Sequence, residues 1–305
     1  MKEKINDFSK VKEKYLNFIK SQEVLGEPFR DKLGQLKNFY MPISKIIYKD
    51  YLKNKKTRII GLSGGQGSGK STISQLLKIV LKTKFNLDTV VFSIDDFYKT
   101  YKERKKMSKN VNHLFLTRGV PGTHETKLLY ECLKNLKKNK FKKLLVPRFD
   151  KSVDDRCLKS KWTKVLKKPN IVIFEGWCVG AKPQKYSNLI KPANNLEKFE
   201  DKNLVWRKKV NNELKNEYKK IFQLIDDLIF LKVPSFRYVY KWRLLQEKKL
   251  QKTSKGKKIM TTKEIKKFIM FYERITCNMI KTLGSKAKIL INIDSKHRLK
   301  SIKFN

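Results

Sequence analysis

The chain has 305 residues, 73 of them Lys or Arg and 28 Asp or Glu, a formal net charge of +45, and an apolar fraction of 40%. That composition supports a folded core, no run reaches the ~18 apolar residues of a membrane span, and Met1-Lys2-Glu3-Lys4 lacks the apolar block of a secretory signal. Cys132, Cys157, Cys178 and Cys277 have no zinc-module spacing and require no disulfides, which fits a cytoplasmic protein. The lysines run from end to end, as at Lys134, Lys137, Lys138 and Lys255 to Lys258, and Asn and Ile are also frequent. This is a general bias rather than a nucleic-acid patch, so no specific nucleic-acid partner is expected, although a positive field also suits anionic ligands.

Residues 1–57 precede the first core strand. Phe8, Val11, Tyr15 and Phe18 recur at helical spacing, as do Leu33, Leu36 and Tyr40, and then Ile43, Ile46, Ile47 and Tyr51, with Pro42 interrupting. They read as a helical cap on one sheet face; a partner-binding arm is the alternative. Residues about 58–63 read as a buried strand and about 69–84 as a helix, through Ile73, Leu76, Leu77 and Val80.

Between them runs Gly64-Gly65-Gln66-Gly67-Ser68-Gly69-Lys70-Ser71-Thr72, of the form G-x-x-x-x-G-K-[ST]. Glycines let successive backbone N–H groups turn toward one anion, and the helix adds its positive end. Lys70 supplies a point charge for the β- and γ-phosphates and Ser71 a hydroxyl for Mg²⁺.

A second strand, about 89–94, ends in Asp95-Asp96-Phe97-Tyr98, and acids at that end of a buried strand suit chemistry in an open sheet. One carboxylate would take a proton from an acceptor hydroxyl, the other would bind Mg²⁺ through water or orient a neighbour; the residues alone do not divide these roles. Residues 99–118 read as basic and irregular, and about 124–138 as a helix with Thr123 as its N-cap. A short strand at 143–147 ends at Arg148 and Asp150. A strand at 170–174 ends at Glu175, placed to hold a metal-bound water beside Ser71.

Residues 178–203 read as a loop, about 204–224 as one helix, Leu228 to Val233 as a strand, 236–250 and 262–280 as helices, and Ala287 to Ile293 as the last strand. Arg118 and Arg148 can receive an acidic small molecule, with His124 either contacting it or packing. Arg237 and Lys241 share a helix face, with Arg243 aside; they either close over ATP or form a solvated basic helix.

Over roughly residues 40–293 the chain resembles the P-loop kinase family that contains the plant- and fungal-type D-glycerate 3-kinases, similar in turn to uridine kinases, phosphoribulokinase and bacterial-type pantothenate kinase. The resemblance is carried by the phosphate loop with Ser93-Ile94-Asp95-Asp96-Phe97-Tyr98, Arg118-Gly119-Val120-Pro121-Gly122-Thr123-His124, Pro147-Arg148-Phe149-Asp150-Lys151-Ser152, Phe174-Glu175-Gly176-Trp177 and Trp242-Arg243-Leu244-Leu245-Gln246-Glu247. It implies an α/β, three-layer P-loop NTPase fold with a mostly parallel central sheet: a helical extension at 1–57, a kinase domain at 58–305 and a helical lid region.

It also implies ATP and Mg²⁺ as cofactors and a small-molecule acceptor, an organic hydroxy acid, with D-glycerate foremost. Lys70, Asp95 (as base) and Arg243 would be catalytic, Ser71 and Glu175 would face the metal, and Arg237 and Arg243 would belong to the lid. Asp96, Tyr98, Arg118, His124, Arg148, Asp150, Lys151 and Arg156 would form the substrate side. One departure is expected to change the pocket wall. Where the family has a Gly-x-Gly-Asp-Arg turn after Asp-Lys-Ser, this chain runs Val153-Asp154-Asp155-Arg156.

Overall fold

Continuous apolar strands bury both faces, and that is the pattern of a parallel sheet covered by helices on each side. A computed structural model describes residues 2–23, 29–253 and 260–305. Its central sheet has the order β10-β9-β8-β1-β7-β2. Strand β1 (Arg58–Gly64) pairs in parallel with β7 (Ile171–Gly176) and β8 (Asp227–Lys232). Strands β2 (Thr89–Ser93) and β9 (Ile289–Ile293) extend the parallel sheet on either side. An antiparallel edge strand, β10 (Leu299–Phe304), follows β9, and the sequence reading had missed it.

Alternation along the strands divides the core in two. Ile60, Leu62, Ile171, Ile173, Ile229 and Leu231 face one side. There they meet α4 (Lys70–Phe85), which follows the phosphate loop, and with it α1 (Lys2–Gln22) and α3 (Met41–Asn54). Val11, Tyr15, Ile19, Ile43 and Ile47 pack into the same cluster as Ile73, Leu76, Leu77 and Val80. The other side buries Ile59, Val172, Phe174 and Phe230 under α6 (Thr126–Lys137), α9 (Val205–Lys215), α10 (Glu217–Phe222) and α12 (Thr262–Thr282). Lys288 pairs with Asp50 of α3 and, at 3.0 Å, with Asp227 of β8, so the N-terminal helices are tied to the sheet by charge as well as by packing. No described helix is long and apolar enough to cross a membrane.

Several local expectations give way to specific turn chemistry. Pro42 does not interrupt the second helical region. It sits in the first turn of α3, and a π-helical turn, Leu36–Tyr40, joins α3 to α2 (Lys32–Gln35), since a proline lacks the N–H for the preceding carbonyl. The stretch 99–118 contains a true helix, α5 (Tyr101–Asn110), started by a reciprocal cap between Thr100 and Glu103. Thr123 does not cap α6, whose N-cap is Glu125. The Thr123 hydroxyl accepts from Gly119 N and donates to Val120 O instead.

Asp95 and Asp96 follow β2, as expected, and lie in a 3₁₀ turn, Ile94–Phe97. The strand foreseen at 143–147 is β3 (Leu144–Val146), which leaves the main sheet to pair with β6 (Thr163–Val165). The loop at 178–203 holds two short helices, α7 (Ser187–Ile190) and α8 (Asn195–Glu200). The helix foreseen at 204–224 breaks at Asn216 (φ −108°, ψ −86°) into α9 and α10. Helix α11 spans Phe236–Thr253; of the connection to α12, residues 254–259, with the lysines 255, 257 and 258, lie outside the described residues.

Because the N-terminal helices share their core with α4, chain and extension should unfold together. Ile43→Ala is expected to lower the stability of one cooperative transition by about 2–5 kcal/mol. Denaturant unfolding followed by both circular dichroism and tryptophan emission checks this; two separated transitions would show that the extension folds independently.

Candidate active site

The phosphate loop leaves β1 at Gly64 and enters α4 at Lys70. Gly67 (φ 74°) and Gly69 (φ 84°) take left-handed conformations, which turn the backbone N–H groups of the loop inward. Gly67 also has a packing reason to lack a side chain: a Cβ there would stand 2.9 Å from the Cβ of Trp242 on α11. Helix α11 therefore lies directly on the loop.

Lys70 Nζ donates to Gly65 O at 3.1 Å. Burial pushes its ammonium below the ordinary lysine value, while Glu175 and Asp95 pull it back. Inside the loop the Gln66 amide and the Ser68 hydroxyl are buried without a partner in the protein, as donors reserved for a ligand would be. The loop thus fits a polyphosphate.

Glu175 stands on β7 in register with Leu62 of β1 and Ser93 of β2, so the sheet itself sets it beside the loop. Ser71 Oγ donates to Glu175 Oε1 at 3.0 Å. Burial raises the Glu175 pKa, and Lys70 opposes that rise. A hydroxyl and a carboxylate in contact beside a polyphosphate cradle fit Mg²⁺. The described residues contain no group of three or more His, Cys, Asp or Glu that could hold a metal, so phosphate oxygens and water would have to supply the remaining ligands.

Across from the loop, the 3₁₀ turn separates the two neighbouring acids. Asp96 is taken up by structure: its carboxylate accepts from Ser93 N at 3.3 Å and Phe149 N at 3.5 Å, with Arg148 Nε at 3.9 Å. Burial holds its pKa up. Asp95 instead accepts from Lys151 Nζ at 2.6 Å and from the Tyr98 hydroxyl at 2.9 Å. Burial alone would raise the Asp95 pKa, but the Lys151 ammonium wins and brings it to about 2. In return Asp95 raises the pKa of Lys151. Lys70, Glu175, Asp95 and Lys151 all act on one another electrostatically, so they form one charge cluster.

Lys151 is carried by a hairpin between β4 (Phe149–Asp150) and β5 (Asp155–Arg156). Asp154 (φ 57°) supplies the left-handed turn that a glycine would otherwise provide. Its carboxylate pairs with Arg118 and, at 3.0 Å, with the fully buried Arg104. Arg104 also donates to Leu116 O and Asp154 O, both at 2.7 Å. Arg156 donates to Tyr98 O at 2.9 Å, and Asp150 accepts from Ser152 N at 2.8 Å to brace the turn.

His124 is fully buried and stacks on Tyr98, ring centroids 4.5 Å apart. The Tyr218 hydroxyl accepts from Gly122 N at 3.1 Å and shares a hydrogen bond with His124 Nδ1, while His124 Nε2 has no partner in the protein. Burial drives the His124 pKa down to about 3, so it is neutral.

The structure thus gathers Gly64 to Thr72, Asp95, Asp96, Tyr98, Arg118, His124, Arg148, Lys151 and Glu175 at one end of the sheet. Arg243 has its backbone N 3.7 Å from where a Gly67 Cβ would stand and acts with Asp95 and Arg118 on Tyr272, while its guanidinium pairs with Glu247 at 2.7 Å and lies over the Phe268 ring. Arg237 is exposed on the first turn of α11. Sequence reasoning missed Asp154, Arg104, Tyr218 and Tyr272, whose hydroxyl donates to Arg118 O at 3.3 Å. Only Asp154 left a signal, as the non-glycine residue in a tight turn.

A family model described as "Phosphoribulokinase / Uridine kinase family" matches residues 59–237. The "Uncharacterized kinase mug58" of Schizosaccharomyces pombe is 35% identical over 256 residues, 81% of this chain and 90% of its own length. The chloroplastic D-glycerate 3-kinase of Arabidopsis thaliana is 32% identical over 222 residues, 70% of this chain and 46% of its own. The solved structure of D-glycerate 3-kinase from Cryptococcus neoformans var. grubii has a TM-score of 0.74 at 22% identity, covering 87% of this chain and 99% of that one, a likeness of fold. The chain belongs to the phosphoribulokinase and uridine kinase family and is an ATP-dependent phosphotransferase.

Proposed function

We propose that the chain transfers the γ-phosphoryl group of ATP to a hydroxyl of a small hydroxy acid, D-glycerate foremost, giving 3-phosphoglycerate and ADP. The observation that carries this reading is the Asp95–Lys151 pair at 2.6 Å, set in the same charge cluster as Lys70 and Glu175. Asp95 is the ionised acid not spent on backbone hydrogen bonds, and it takes the acceptor's proton as the new oxygen–phosphorus bond forms. Lys70 and the loop amides stabilise the charge that grows on the departing ADP oxygen. Ser71 and Glu175 would hold Mg²⁺, which would supply positive charge to the triphosphate.

The acceptor's carboxylate is read on the cationic side. Arg118, which shares the Asp154 carboxylate with Arg104, stands with Lys151 and the half-exposed Arg148 to meet it. Tyr98, His124 and Arg156 shape that pocket. Asp96 and Asp150 act on its walls by holding Ser93, Phe149 and Ser152. Arg237 and Arg243 close over the phosphates when α11 and the loop are loaded. The relative named D-glycerate 3-kinase supports the choice of acid. Four free cysteines suit a cytoplasmic setting.

ADP release measured with D-glycerate, uridine, pantothenate and ribulose 5-phosphate tests the acceptor. Turnover is expected with D-glycerate; turnover with uridine alone would replace a hydroxy-acid kinase by a nucleoside kinase, and no response to any acceptor would argue for an ATPase. Asp95→Asn is expected to lower kcat by roughly 10²–10⁴ while ATP affinity stays near wild type. Unchanged turnover would remove Asp95 from the chemistry.

A pH profile tests the Lys151 contact. The base must be ionised, so activity falls as pH drops through its pKa. In Lys151→Met, the largest opposition to burial is gone and the Asp95 pKa rises. The acid limb of kcat/KM is therefore expected to move to higher pH by about one unit or more. A limb left in place would show that another group titrates there.

A further inference from the structure

The hairpin that carries Lys151 turns on an aspartate. Asp154 takes φ 57°, a left-handed conformation that costs an aspartate more than a glycine. A residue held in that conformation needs surroundings that favour it over the alternatives, and Asp154 is gripped at both its carbonyl and its carboxylate.

Behind the hairpin lies Arg104 of α5, whose side chain is fully buried. Its guanidinium donates to Lys99 O at 3.2 Å, and to Leu116 O and Asp154 O at 2.7 Å. It also meets the Asp154 carboxylate, with Oδ1 at 3.0 Å. Arg118 meets the same oxygen through Nη1. A buried arginine thus fixes the carboxylate, and the carboxylate fixes the half-buried Arg118.

Two arginines on one carboxylate leave the group cationic. The Arg118 contact uses one corner of the planar fork, so its other edge can take a second carboxylate. Arg118 also lowers the pKa of Lys151, so the two cations stand close enough to repel. Each is held against that repulsion by its own acid, Lys151 by Asp95 at 2.6 Å and Arg118 by Asp154. Lys151 and Asp154 belong to the same turn, between β4 and β5, so this turn sets the spacing of the two cations.

We propose that Asp154, backed by Arg104, is a positioning residue for the acceptor: it aims Arg118 at the acceptor's carboxylate beside Lys151. The inference rests on the acidic acceptor proposed for this site. A glycine at this position would keep the turn and release Arg118.

Steady-state turnover of the full chain, with KM for D-glycerate and for ATP measured separately, tests it. Asp154→Gly keeps the turn and deletes the carboxylate. KM for D-glycerate is expected to rise by roughly tenfold to a hundredfold while KM for ATP stays near wild type. Asp154→Asn keeps the turn and an acceptor oxygen without the charge, and is expected to raise KM for D-glycerate about threefold or more. If the glycine variant does not fold, the asparagine variant decides. In an Arg118→Gln background, Asp154→Asn is expected to change KM for D-glycerate by less than about twofold, because the group it positions is gone.

The proposal is overturned if the variants leave KM for D-glycerate unchanged or lower it; a lower value would mean that Asp154 competes with the acceptor for Arg118. It is also overturned if KM for ATP rises in step, as a purely structural role would have it, or if the loss persists in full beside Arg118→Gln. In each of these cases wild type still phosphorylates D-glycerate, and the acceptor assignment stands. Wild type that phosphorylates no hydroxy acid would remove both.

Discussion

Buried charge has to be answered by opposite charge, and this end of the sheet is arranged around that necessity. An ammonium such as that of Lys70 is costly away from water unless carboxylates face it. Glu175 and Asp95 do so, and Lys151 in turn balances Asp95. None of these groups is independent: removing one leaves its neighbours under-compensated, so the cluster behaves as a unit. A triphosphate brings more negative charge to the same place, and the unpartnered polar atoms of Gln66 and Ser68 mark where the loop is ready to receive it.

Sheet register makes that compensation possible. Leu62, Glu175 and Ser93 stand side by side on β1, β7 and β2, and the loop, the Glu175 carboxylate and the acidic turn all issue from that row. Strands of a parallel sheet end together on one edge, so groups far apart in the chain arrive within a few ångströms. On the loop's other side, Trp242 against Gly67 sets α11 on the same backbone.

The acceptor side is held by a different device. Arg104, fully buried, gathers carbonyls from Lys99, Leu116 and Asp154, and so joins α5, the segment before Arg118 and the Lys151 hairpin. Asp154 does two things at once: it adopts the left-handed turn and it pairs with both Arg104 and Arg118. A glycine would serve the first purpose and not the second.

The residues themselves determined the strand–loop–helix at 58–85, the helical face of Val11 and Tyr15, and the presence of acids after two apolar strands. Helical period, glycine pattern and cap chemistry are written within a few neighbouring positions, which is why these were readable. The cap between Thr100 and Glu103 was equally local and was overlooked. Tertiary structure alone decided the rest. It consumed Asp96 in backbone hydrogen bonds and turned Asp95 toward a lysine 56 residues away. It drew β3 out of the sheet, added β10 at its edge, and brought the two ends of the chain together around one cleft. These arrangements depend on which strands pair and in what register, and on which faces the helices cover. No short window of sequence contains that information, because the energy that selects it comes from burial shared among residues far apart in the chain.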